Sequence, residues 1–112
     1  MNRKTVEDYI LSFPGAKLTY PFGEDVAVYK IPVGGKEDKM FALIQEKSDP
    51  IKLSLKCDPQ LAEILREKYV TVMPGYHLNK KHWNTVLLSG ELPWEEVQGF
   101  ITHSFELVSK AL

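Results

Sequence analysis

Between Met73 and Val86 the chain gathers Pro74, Gly75, Tyr76, His77, Asn79, Lys80, Lys81, His82 and Trp83 into one segment without periodicity. Two lysines, two histidines and two aromatic rings so close together suit recognition of an anion. Ammonium groups pair with phosphates, and aromatic faces stack on bases or sugars. Lys52 and Lys56, on a strand-like run upstream, extend the same chemistry. The surface read for nucleic acid is therefore Lys52, Lys56, Tyr76, His77, Asn79, Lys80, Lys81 and His82. An architectural reading stands beside it. Asn79 is suited to cap a short turn at Lys80 to His82, Gly75 to permit an unusual backbone angle, and Trp83 to anchor the loop in the core.

Other chemistries find less support. His77 and His82, with Asp58 or Glu63, match no common zinc spacing, so no metal is expected. Cys57 ends an alternating apolar run and reads as an inert buried thiol, and His103, on a helix with Phe100, Ile101, Phe105 and Leu107 nearby, reads as a helix-surface or core histidine. No nucleophile, base and orienting group can be named together, so the expectation is a non-enzyme without a cofactor.

The 112 residues, 44% hydrophobic, suit one domain spanning 1–112. A single cysteine, no basic-then-apolar leader and no long apolar run lead to the expectation of a soluble cytoplasmic protein, away from membranes and monomeric. The formal charge is −1 but uneven. Residues 30 to 81 hold ten Lys/Arg against seven Asp/Glu, net +3, and residues 82 to 112 hold one against four, net −3. The middle of the chain carries the cationic surface.

The elements that must position these residues follow from periodicity and turn chemistry. Thr5 is read as the cap of a short helix on Val6, Tyr9, Ile10 and Phe13, ended by Pro14 and Gly15. Strands are predicted over 17–20, 26–31, 40–45 and 51–57, broken at Gly34-Gly35 and at Ser48-Asp49-Pro50. In the last of these, Ile51, Leu53, Leu55 and Cys57 alternate with Lys52, Ser54 and Lys56, which predicts a core face and an outer face. Asp58-Pro59 opens a second helix, 83–89 reads as a strand, and Pro93 opens a C-terminal helix. The order predicts an α+β two-layer sandwich, with an antiparallel β-sheet covered by helices.

Phe13-Pro-Gly15, Leu55-Lys-Cys-Asp-Pro59, the run from Pro74 to Lys80, His82-Trp83 and Thr85-Val86 together resemble the MmcQ/YjbR family of small bacterial proteins. The resemblance spans nearly the whole chain and implies a CyaY-like fold and DNA binding through hairpins on the sheet. Frataxin-type proteins of the same broad fold bind iron through an acidic first helix. Here that helix is short and Arg3 and Lys4 precede Glu7 and Asp8, so iron is not carried over. With only two arginines, the residue best shaped for bidentate reading of guanine, the expectation is phosphate-directed, weakly sequence-specific DNA binding. The alternative is a small-ligand or protein-binding adaptor using loop 74–83. A pocket walled by Tyr76, His77 and Trp83 would favour it, whereas a positive stripe over Lys30, Lys52, Lys56 and Lys80 would favour nucleic acid.

Overall fold

The computed structural model describes residues 2–110 as three helices and six strands. They run α1 (Arg3–Leu11), β1 (Lys17–Thr19), β2 (Val26–Val33), β3 (Lys36–Gln45), β4 (Ile51–Lys56), α2 (Pro59–Lys68), β5 (Val72–Pro74), β6 (Trp83–Leu88) and α3 (Trp94–Ser109). One antiparallel sheet in the order β1-β2-β3-β4-β6-β5 is covered on one face by the helices, the expected two-layer α+β arrangement.

Local chemistry accounts for most boundaries. Asp58 Oδ2 accepts from the amides of Gln60 and Leu61 at 3.1 and 3.2 Å, which satisfies the open end of α2. For α1 the cap is Asn2, whose Oδ1 accepts from the Thr5 amide at 2.9 Å, rather than Thr5 itself. Gly34 and Gly35, at φ 50° and 74°, form a two-residue hairpin turn that favours glycine. The hairpin is therefore longer than the apolar pattern suggests, because paired backbone carries the polar residues Lys36 to Lys39 into β3. β5, three residues that pair with β6 through Val72, Met73 and Pro74, lies where no strand is predicted from the sequence pattern.

On the helical side, Leu53 and Leu55 of β4 meet Ile44 and Ala42 of β3 in register and join Val97, Ile101 and Val108 of α3 in one core. Phe41 stacks edge-on against Phe13 and Phe105, with ring centroids 6.0 and 5.8 Å apart. A bulge makes this possible: Tyr29 pairs with Ala42 and Lys30 with Met40, so Phe41 is an extra residue. The bulge also shifts the alternation, leaving Met40 beside Lys30 on the far face. Beneath α1, the buried Tyr29 hydroxyl donates to Glu7, while Arg3 pairs with Glu7 and Glu46. Burial first, and the Glu7 carboxylate second, push the Tyr29 phenol well above its ordinary pKa.

The far face is not simply open to water. Val28, Leu43 and Trp83 are buried there, with Val26, Met40 and Leu78 packed against them. Loop 75–82 lies over this face with Leu78, so Ser54, expected on an outer face, is 2% exposed and shares a 2.8 Å hydrogen bond with Thr85.

Candidate nucleic-acid interface

Backbone hydrogen bonds build the 75–82 loop before any side chain acts. The Gly75 amide donates to the Trp83 carbonyl at 2.9 Å, the Tyr76 amide to Thr85 Oγ1 at 2.9 Å, and the Cys57 amide to the His82 carbonyl at 2.8 Å. Asn79 is a cap, as the architectural reading holds. Its Oδ1 accepts from the amides of Lys81 and His82 at 2.9 and 3.3 Å. Trp83, 7% exposed, anchors the loop on Val28 and Leu43.

Gly75 serves a different purpose from the one expected. Its requirement is space: a Cβ there would lie 2.7 Å from Trp83 Cβ. The unusual backbone angle belongs to His77, at φ 58°. That conformation sets the imidazole against Tyr76, with ring centroids 4.0 Å apart.

Arg66 fastens the loop to α2, and nothing in its sequence context marks it for this. Its Nε donates to Asn84 Oδ1 at 2.7 Å, and its guanidinium also reaches the Lys80 and Trp83 carbonyls. The buried Asn84 in turn donates to the Ala62 carbonyl at 3.4 Å.

The eight residues assigned to the nucleic-acid surface therefore divide. Lys52, Tyr76 and His77 come together, with Lys52 Nζ lying 4.7 Å from the Tyr76 ring centroid. Lys56 ends β4 opposite Trp83 on the same sheet face. Asn79 works within the loop, and so does Lys80, whose ammonium donates to the Gly75 carbonyl at 2.9 Å. Lys81 lies apart, beside Pro59, Gln60, Glu63 and Arg66 of α2. The half-buried His82 meets this face mainly through its carbonyl.

Strand register places the remaining charge. Lys17 pairs with Lys30, and Lys30 with Met40, so both lysines face the same side as Lys56 and Lys52. Lys17 is paired with Asp38, but among the described residues Lys30, Lys52 and Lys56 make no ion pair. Across the sheet, α3 carries Glu95, Glu96 and Glu106 and no lysine or arginine. The basic stripe thus exists through Lys30, Lys52 and Lys56, without Lys80.

Beside it, a cleft of about 370 Å³ opens between the β1–β2 turn and the loop, walled by Phe22, Tyr76, His77 and Leu78 and floored by Val26 and Leu43. Trp83 does not line this cleft; it packs in one cluster with its lining residues Val26, Leu43 and Leu78. Phe22 is the residue the sequence reading overlooked. It stands 65% exposed in a Pro-Phe-Gly turn, a setting that withholds an aromatic ring from the core. Behind the sheet, Cys57 is buried, and burial together with the neighbouring Asp58 pushes its thiol up to about 11. His103 Nε2 accepts from the Asp58 amide at 3.2 Å.

Fold and site together define a small antiparallel α+β domain whose second sheet face is closed by a clasped polar loop and edged by lysines. The chain belongs to the YjbR family, whose family model matches residues 11–107. It is 37% identical to the uncharacterized protein YjbR of Escherichia coli (strain K12) over 98 residues, covering 88% of this chain and 79% of that one. It is 35% identical to the uncharacterized protein YbdF of Escherichia coli O157:H7, covering 97% and 85% of the two chains. The crystal structure of Deinococcus radiodurans protein DR2400 superposes with a TM-score of 0.90 at 37% identity, covering 96% of this chain and 78% of that one. A crystal structure of a Pseudomonas syringae protein gives 0.80 at 35% identity, covering 96% and 99%. Among the described residues no helix is long and apolar enough to cross a membrane.

Proposed function

We propose that the protein is a cytoplasmic, monomeric, non-enzymatic DNA-binding domain that meets the phosphate backbone with the sheet face bearing Lys30, Lys52 and Lys56. The observation that carries this reading is the placement on one face of three ammonium groups that make no ion pair among the described residues, while α3, on the other, is acidic. Lys30 and Lys56 stand two strands apart, roughly 10 Å, and Lys52 lies about 13 Å along β4 from Lys56. Three such contacts give weak binding with a log-log salt slope of about −2.7.

Weak sequence specificity follows from the arginines. Arg3 is held by Glu7 and Glu46 and Arg66 by oxygens of Lys80, Trp83 and Asn84, so neither guanidinium is free to read a guanine edge. Absence of catalysis is supported by the buried, high-pKa Cys57 and by the engagement of His103 with backbone.

Fluorescence anisotropy with short labelled duplexes across a salt series tests the reading. Alanine at Lys30, Lys52 and Lys56 should lower affinity for all sequences alike and flatten the slope towards zero. No binding by the wild type at low salt, or an unchanged slope in the triple variant, would refute it. The adaptor reading is favoured by one observation, the cleft between Phe22 and Tyr76. Thermal-shift screening against small aromatic metabolites tests that alternative.

A further inference from the structure

We propose that the cleft between Phe22 and Tyr76 receives an unpaired base of single-stranded DNA. This rests on the nucleic-acid reading above and deepens it, because phosphate contacts alone do not distinguish single strands from duplex.

Phe22 is 65% exposed and Tyr76 43%, and both line one depression whose floor, Val26 and Leu43, is apolar. The exposed Phe22 ring offers a face on which any base can stack, and Tyr76, itself packed against His77 and Lys52, closes the opposite side of the apolar floor. The volume of about 370 Å³ lies in the range of sites for small organic groups. Gln45 also lines the cleft, and its amide offers both a donor and an acceptor to the edge of a ring.

Charge then selects the kind of ring. Lys52 Nζ lies over the Tyr76 ring, 4.7 Å from its centroid, so a cation sits next to one wall of the cleft without lining it, within reach of the phosphate beside an inserted base. A stacked ring, a polar edge and an adjacent anion are together the features of a nucleotide within a strand. A duplex keeps both faces of each base in its stack, so only an unpaired base can enter.

The test compares a short oligothymidylate with an abasic strand of equal length by fluorescence anisotropy at low salt. The two present the same phosphates and differ only in the bases. The wild type should bind the oligothymidylate about fivefold tighter or more. Phe22→Ala should abolish that difference, and Tyr76→Leu, which keeps apolar bulk but removes the stacking ring, should reduce it. Phe22 is exposed, so its variant is expected to melt as the wild type does. Equal wild-type affinity for the two strands, or a difference that survives Phe22→Ala, overturns the inference while salt-dependent binding leaves the phosphate reading standing. Failure of the wild type to bind either strand or duplex overturns both.

Discussion

Arg66→Ala should loosen the loop by a calculable amount. The guanidinium has three oxygen partners, and they lose unequally. The Lys80 carbonyl belongs to an exposed residue and regains water, and the Trp83 carbonyl keeps the Gly75 amide at 2.9 Å. Asn84 Oδ1, on a residue 3% exposed, loses its 2.7 Å bond with no solvent to replace it. An unsatisfied buried acceptor costs about 1–3 kcal/mol, and Arg66 is only half-buried, so a loss of about 2 kcal/mol is expected. For a domain of this size that lowers Tm by about 8 °C. Thermal melts of Arg66→Ala, Asn84→Ala and the double variant give the coupling directly. The double variant should lose about 1 kcal/mol less than the sum of the singles. Arg66→Lys should not restore stability, because an ammonium cannot span the same oxygens. A Tm within about 2 °C of the wild type for Arg66→Ala, or strictly additive losses, would refute the clamp.

Leu53→Asp places an unpaired charge in the helical-side core and should cost several kcal/mol. Ser54→Asp should also cost about 2 kcal/mol or more, since Ser54 is buried against Thr85; chemical denaturation measures both. Asn79→Ala should cost about 1 kcal/mol in a thermal melt by removing two amide acceptances, and a melt unchanged from the wild type would contradict the capping role. Cys57, with its thiol raised to about 11, should resist maleimide below pH 9 until the protein unfolds. Because the folded state holds that proton more tightly, stability should fall between about pH 9 and 11, less so in Cys57→Ala. Rapid labelling of the native thiol at neutral pH would contradict its burial.

The elements were legible where one face alone decides the pattern. The alternation from Ile51 to Cys57 and the Asp58-Pro59 cap are local signals, and they place β4 and α2 correctly. Ser54 lies on the face away from the helices, as the alternation predicts, yet is buried, because alternation distinguishes two faces but does not show that the 75–82 loop covers the second. β5 escaped for a similar reason: three residues ending in proline carry no period, and their pairing with β6 is a tertiary event. In the site, Asn79 and Trp83 were readable because capping and anchoring are properties of residue type in a turn. Lys80 and Lys81 look alike in sequence, yet one ammonium satisfies the Gly75 carbonyl and the other projects beside α2. Only the path of the loop separates them, and that path depends on Arg66.

The proposal that DNA meets the sheet face is tested most directly by a backbone amide NMR titration of the full chain with a short duplex at low salt. The expected shifts centre on β2 near Lys30, on β4 from Lys52 to Lys56 and on the 75–82 loop, with α1 and α3 unchanged. They should recede as salt is added. Shifts concentrated on α1 or α3, or no shifts at any DNA concentration, would contradict it.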